Sequence, residues 1–463
     1  MKAGRNLIPI CLLCAALLQA ATTGAQPVTN LAAGGYHSLF LKSGGSLWAM
    51  GYNADGEFGD GTTNNTDLPE GIVASNVTAI AAGGYHSLFL KNDGSLWAMG
   101  YNGNGELGDG TNNSTNRPEE IVSSNVTAVA AGYFHSLFLK RDGSLWGMGN
   151  NGSGQLGDGT FNNTNRPEQI VSSNVTAIAA GGYFSLFVKT NGSLWAMGYN
   201  GYGELGDGTL NTTNRPEQIV SSNVTAIAAG GGSYNDGFST YYTDHSLFLK
   251  RDGSLWAMGN NGLGQLGDGT TDGGNYQTNL PEQIVSSNVT AIAAGLYHSL
   301  FLKSGGSMWA MGWNANGQLG DGTYVSTNQP EQILAGGVTG IAAGHLHSLF
   351  LKSDGSLWAV GYNGEGELGD GSYGAAPNYG PSQPEQILAA YNQISGQLMN
   401  GTNMQLSFVG IARTNYALDR ATSLSPPDWI PQATNPANSF GALVFTNPPN
   451  AATNNFWRIR SAQ

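Results

Sequence analysis

Six histidines recur at one position of a repeated phrase: His37, His86, His135, His245, His298 and His347, with Phe184 in their place in a seventh copy. Imidazoles arranged this way invite metal ligation or acid–base chemistry. A position that also accepts phenylalanine does not need a titratable group. The six are therefore read as structural, hydrogen-bonding between strands. His345 departs from the pattern and reads as a surface contact. With His347 it makes an H-x-H pair that has no third ligand beside it.

Aspartates recur as well, at Asp60, Asp109, Asp158, Asp207, Asp268, Asp321 and Asp370, each inside G-D-G. The stretch Asn53-Ala54-Asp55-Gly56-Glu57 resembles the opening of an oxygen-ligand loop for calcium. Its glutamate becomes Gln155, Gln265 and Gln318 in other copies, and no twelfth-position Glu completes a site. Capping of a tight Asx turn is the better role. The seven tryptophans Trp48, Trp97, Trp146, Trp195, Trp256, Trp309 and Trp358 suggest a sugar-stacking ring. Their apolar neighbours in S-L-W-A-M-G favour packing instead. Loop carboxylates such as Asp236 and Asp244 offer a rival reading, a propeller enzyme acting on polysaccharide. Without a nucleophile–base pair or a metal-ligand set, the expectation is no catalytic residue, no metal and no cofactor.

The tryptophan intervals are 49, 49, 49, 61, 53 and 49 residues. A fixed period near 50 marks an array in which each unit is one supersecondary element packed on its neighbours. In the third unit, E-I-V, V-T-A-V-A-A, S-L-F-L and S-L-W-G-M are separated by Ser-, Gly-, Asn- and Asp-rich turns, which predicts four short strands. Within the third of these runs Leu137 and Leu139 share one face and Phe138 takes the other. Apolar residues on both faces predict a sheet sandwiched between two more. Seven four-stranded units predict an all-β, seven-bladed β-propeller over residues 28–388. The first V-T-N-L-A-A-G strand has no P-E-x-I-V run before it, and the seventh, Pro384 to Leu388, has no V-T-A strand after it. Pairing these two orphans predicts closure by strands from the two ends of the chain.

The string A-A-G-x-x-H-S-L-x-L-K-x-D-G-S-L-W-x-x-G, followed by N-x-x-G-Q-L-G-D-G, resembles the repeat of the regulator of chromosome condensation family. The resemblance covers roughly residues 28–388 and implies a seven-repeat β-propeller. It also implies a choice of activities, from guanine-nucleotide exchange through scaffolding to a secreted bacterial-type inhibitor. The exchange reading stays as an alternative by resemblance.

Residues 1–25 stand apart. Lys2 and Arg5 precede an apolar run from Leu7 to Ala21, and Thr23-Gly24-Ala25 offers small residues for cleavage, the layout of a secretory signal peptide. The expected location is secreted, periplasmic or cell-surface, with no membrane insertion after cleavage. The only cysteines, Cys11 and Cys14, lie in that segment. The formal charge of −13, about −15 without Lys2 and Arg5, argues against a nucleic acid partner.

Because strands alternate in direction, the G-Y-H turns and the long G-E-L-G-D-G loops fall at one end of the ring. Three insertions map there. Gly231 to Asp244 brings Tyr234, Phe238, Tyr241 and Tyr242; Thr271 to Leu280 brings Tyr276; Ser372 to Gln383 brings Tyr373 and Tyr379. Tyrosines beside Gly, Ser and Asn on a rigid frame suit recognition. Residues 391–463 leave the repeat and read as a small C-terminal β-sandwich-like domain. The chain is thus expected to be an exported, monomeric, non-enzymatic scaffold that binds a protein or glycan through this face.

Overall fold

In the computed structural model the described residues are 27–235, 240–271, 277–375 and 379–388, together with six strands further on. Residues 1–26, which include the segment expected to be a signal peptide, and Asp236, Phe238 and Tyr276 lie outside them. Among the described residues no helix occurs, and Val28–Leu388 forms one compact unit.

Seven four-stranded antiparallel sheets make up this unit. The first blade consists of β1 (Val28–Ala33), β2 (His37–Lys42), β3 (Leu47–Gly51) and β4 (Thr66–Val73), paired in that order. Its innermost strand ends in A-A-G because the sheets crowd together there. A side chain on Gly34 would press on the His37 ring and on the Gly83 carbonyl of the next blade. Gly35 N instead donates to Gly83 O at 3.0 Å. The S-S-N link that returns the chain from an outer strand to the next inner strand needs a left-handed residue. Asn76, Asn125, Asn174, Asn223 and Asn288 supply it at φ near +70°, with Gly337 at the last link.

Blades pack through the alternation read in the sequence. Leu39, Leu41, Leu47, Ala49 and Phe58 of blade one form a single cluster with Val77, Ile80, Phe89 and Met99 of blade two. In blade three Leu137 and Leu139 face blade four, whereas Phe138 faces blade two.

Ring closure differs from the expectation. Pro384–Leu388 does not pair with Val28–Gly34. Glu385–Leu388 is the outer strand of blade seven, with Trp358 opposite Gln386, while β1 pairs with β2. The reason lies in the long loop. It is the hairpin connection inside each blade, so every P-E-x-I-V run pairs with the tryptophan strand preceding it. All seven blades are therefore contiguous in sequence, and the ends meet by face-to-face packing of blades seven and one.

Beyond Leu388, Asn403–Val409 pairs with Ser395–Met399 and Ala442–Asn447, and Asn415–Ala421 pairs with Ile430–Pro436 and Phe456–Ser461.

Candidate functional site

The repeated histidines sit in the seams between blades, all fully or almost fully buried. His37 Nε2 lies 2.9 Å from Ser87 Oγ of the next blade, His86 Nε2 2.8 Å from Ser136 Oγ and His135 Nε2 2.9 Å from Ser185 Oγ. His245, His298 and His347 repeat the contact with Ser299, Ser348 and Ser38. Most of these serines donate their proton to a main-chain carbonyl, as Ser136 does to Glu106 O at 2.7 Å. The histidine must then donate from Nε2, which leaves Nδ1 unprotonated. Burial holds these rings neutral, lowering His37 to about 3 and His86 to about 4. The bonds run between blades rather than between strands of one sheet. Phe184 breaks the series, and Ser246 keeps only its bond to Glu204 O.

His345 is not a surface contact. It is buried in the central channel, stacked on Tyr133 at 5.2 Å and edge-on to Tyr36 at 5.5 Å. The channel is lined by the A-A-G ends of all seven inner strands, which leave a cavity of about 60 Å³. Tyr85 lies 6.1 Å from Tyr36 and 5.6 Å from Tyr133, so an aromatic cluster fills this mouth. Among the described residues no three His, Cys, Asp or Glu side chains come together as a metal site.

The G-D-G aspartates cap their own loops. Asp60 accepts from Thr62 N at 2.8 Å and from Thr62 Oγ1 at 2.7 Å, and Asn53 bridges to it. The tryptophans contribute to the seams and each carries a lysine: Lys42 Nζ lies 3.5 Å from the Trp48 ring centre, and Lys352 Nζ 3.6 Å from that of Trp358. Asp244 is fully buried, against Gly182 and Gly231, and shares its surroundings with buried Glu204. Burial pushes both carboxyls well up, with the neighbouring Asp244 adding to the shift at Glu204, so Asp244 clasps the root of an insertion rather than facing solvent.

One pairing in the loops escaped the sequence reading. Where the residue after S-L-W-x-M-G is Asn150 or Asn260, the loop carries Gln155 or Gln265, whose amide donates to that Asn at 2.7 and 2.8 Å. Where it is Tyr52, Tyr101, Tyr199 or Tyr362, the loop carries Glu57, Glu106, Glu204 or Glu367. The outer oxygens of Glu57, Glu204 and Glu367 are buried without a partner. Desolvation raises Glu57 and Glu367 to about 8.

The face that carries the long loops is confirmed by contact. Tyr52 N, at the start of a long loop, donates to Tyr36 O in the turn before His37 at 2.8 Å. On this face every exposed large hydrophobic side chain among the described residues is found: Leu68, Phe161, Leu210, Leu280, Tyr324, Val325, Tyr373 and Tyr379, with Val325 71% exposed. Of the tyrosines singled out from sequence, Tyr373 and Tyr379 are thus exposed here. Tyr379 packs on Tyr362 at 5.5 Å, and Tyr324 Oη donates to the neighbouring Gly380 O at 3.0 Å. Tyr234, Tyr241 and Tyr242 belong to a two-stranded ribbon, Ser233–Asn235 with Thr240–Tyr242. Phe161, Leu210, Tyr324 and Val325 were missed. Their signal was an apolar residue where aligned loops have Asn or Thr.

The sequence matches the model of the RCC1-like domain over residues 13–235 and that of the regulator of chromosome condensation (RCC1) repeat over residues 252–302 and 305–351. The chain belongs to the regulator of chromosome condensation repeat family. A second model of the repeat matches residues 289–318 and 338–367. Mouse protein RCC2 is 41% identical over 81 residues, 17% of this chain and 15% of that protein. The matched part is thus a small share of such a relative's own length. The crystal structure of human WBSCR16 is similar at a TM-score of 0.61 and 25% identity, covering 71% of this chain and 87% of the other. That of Prp20p from Saccharomyces cerevisiae, described with its binding to Gsp1p and histones, has a TM-score of 0.64 at 20% identity, covering 79% and 87%. The latter likeness concerns the fold.

Proposed function

We propose that this RCC1-repeat propeller is an exported binding scaffold that holds a protein partner on its long-loop face. The observation that carries the reading is the one-sided placement of exposed apolar side chains. A ring whose seams bury their leucines and phenylalanines still leaves eight large hydrophobics among the described residues in solvent, and these eight ride on one end. Such segregation marks interaction surfaces. The blades pre-organise loops from different parts of the chain, so little ordering cost remains for binding. Prp20p, a relative in fold, binds proteins by its description, which supports a protein partner over a glycan. Export rests on the leader-like residues 1–25, and the insertion tyrosines Tyr234, Phe238, Tyr241, Tyr242 and Tyr276 are proposed contacts beside Tyr373 and Tyr379.

The test places a photo-crosslinking side chain at Phe161 or Tyr373 on the long-loop face, and at Asp142 on the opposite end. The full chain is then irradiated with the proteins of its own compartment. Adducts to a protein from the first two positions and none from Asp142 are expected. Equal adducts from Asp142, or polysaccharide adducts alone, would remove the reading.

A further inference from the structure

On an acidic protein, the cations that stay free are informative. The propeller has seven lysines and five arginines. All seven lysines lie over tryptophans within the blades, at 3.5 to 4.0 Å from the ring centres. Arg141 and Arg251 occupy the short turns at the far end. The remaining three, Arg117, Arg166 and Arg215, stand on the long-loop face at one register, the third residue of the outer strands Thr115–Val122, Thr164–Val171 and Thr213–Val220. All three are exposed.

Each guanidinium lies across the G-D-G loop of the preceding blade. A side chain on Gly61 would come 3.0 Å from Arg117 Nη2, one on Gly110 2.7 Å from Arg166 Nη2, and one on Gly159 2.9 Å from Arg215 Nη2. The three therefore mark three consecutive seams. Yet the carboxylates of those loops are engaged elsewhere. Asp109 accepts from Thr111 and Asn102, Asp158 from Thr160 and Asn151, and Glu119 turns to Asp109 as Glu217 does to Asp207. Among the described residues none of the three guanidinium groups forms an ion pair or side-chain hydrogen bond. At the same register the other blades carry Leu68, Leu280, Gln329 and Gln383, so neither the fold nor the loop beneath requires arginine.

We propose that Arg117, Arg166 and Arg215 form an anion-recognising arc that receives the carboxylates of an acidic segment of a protein partner. This deepens the function proposed above and rests on it. A guanidinium presents a planar fork that pairs with a carboxylate through two parallel hydrogen bonds. Phe161 and Leu210 stand exposed on the loops of blades three and four, within the same sector. Apolar contacts among the cations fit a peptide that mixes Asp or Glu with apolar residues. A polyanionic sugar offers charge to the arginines but nothing apolar for Phe161 and Leu210 to bury.

The experiment uses the full chain and a fluorescein-labelled 20-residue peptide of alternating Glu and Leu/Phe pairs, read by anisotropy. A Lys-for-Glu peptide serves as control and a heparin fragment as competitor. Binding of the acidic peptide that weakens with salt is expected. The triple variant R117E/R166E/R215E, whose thermal melt should stay as in the parent, is expected to bind at least about tenfold more weakly, since one charged hydrogen bond is worth about that factor. Leu210→Asp is expected to weaken binding as well. Unchanged affinity in the triple variant, preference for the Lys peptide, or heparin binding without peptide binding would overturn the arc. Were protein crosslinks from Phe161 and Tyr373 to persist alongside such a result, the binding face would stand and only its acidic partner would fall.

Discussion

Ser38 Oγ lies 3.0 Å from His347 Nε2 and donates to Glu367 O at 2.8 Å, so residues 309 positions apart close the ring with the same contact that joins the blades within it. The seventh seam is thus one of the series. Strand exchange, the device expected from sequence, is absent because this seam already satisfies what exchange would supply. The sheet pairs within itself, and the apolar faces and buried polar groups pair across the gap.

Replacing Ser38 by Ala should therefore cost as much as replacing an internal serine. Ser38→Ala and Ser87→Ala each leave a buried histidine N–H without its acceptor, which is expected to destabilise by about 1–3 kcal/mol. Urea unfolding of the two variants checks this. A loss in Ser87→Ala with none in Ser38→Ala would mean that the ring does not close through blades seven and one.

Acid should unfold the propeller through its histidines. Their folded values, near 3 for His37, His135, His298 and His347 and near 4 for His86 and His245, lie below the ordinary value of about 6.5. Between these limits the unfolded chain binds more protons than the folded one. The histidines' contribution to stability is then complete above about pH 6.5 and falls as pH drops toward 3. Melting temperature measured from pH 7 to 4 should decline steeply. His135→Phe, which copies Phe184, should make that decline shallower. An equal decline in the variant would place the acid sensitivity elsewhere.

Much of this fold was legible because the repeat exposes its own grammar. The apolar alternation of Leu137, Phe138 and Leu139 gave the two packed faces, and the interchange of His with Phe184 marked a structural position, though not the seam between blades that it occupies. Closure was misread because the sequence offers no direct sign of which neighbour P-E-x-I-V pairs with; the hairpin geometry of the long loop decides it. His345 was misplaced for a similar reason. Its position before Leu346 looks like a turn, but these turns converge on the channel. Of the exposed side chains on the long-loop face, Tyr373 and Tyr379 stood out in the insertions, whereas Phe161 and Leu210 did not, since each differs from its repeats by a single residue.

The S-S-N links should respond to backbone conformation rather than to contacts. Asn125 holds φ at +69°. Asn125→Ala places a Cβ in the left-handed region and is expected to destabilise by about 1–2 kcal/mol. Asn125→Gly, as at Gly337, should be close to neutral. Chemical denaturation of the pair distinguishes this from loss of the Asn side chain itself, in which case both variants would lose equally.

The last expectation concerns the buried loop acids. Glu57 Oε2 accepts from Asp55 N at 3.0 Å, while Oε1 is buried with no partner. Its folded value near 8, raised mainly by desolvation, exceeds the ordinary one near 4.5. The folded chain therefore binds the extra proton, and this group's contribution is complete below about pH 4.5 and lost as pH rises through 8. Glu367 behaves alike. Gln318 shows what the fold accepts instead, since its Oε1 takes the same turn N–H from Asn316 at 3.1 Å and it carries no charge. Glu57→Gln with Glu367→Gln should melt higher than the parent at pH 8.5 and within a degree or two of it at pH 5. Its free amide would lack the Asn that serves Gln155, so adding Tyr52→Asn should raise stability further at both pH values. Should the double Gln variant gain as much at pH 5 as at pH 8.5, the gain would come from packing and not from the removed charge.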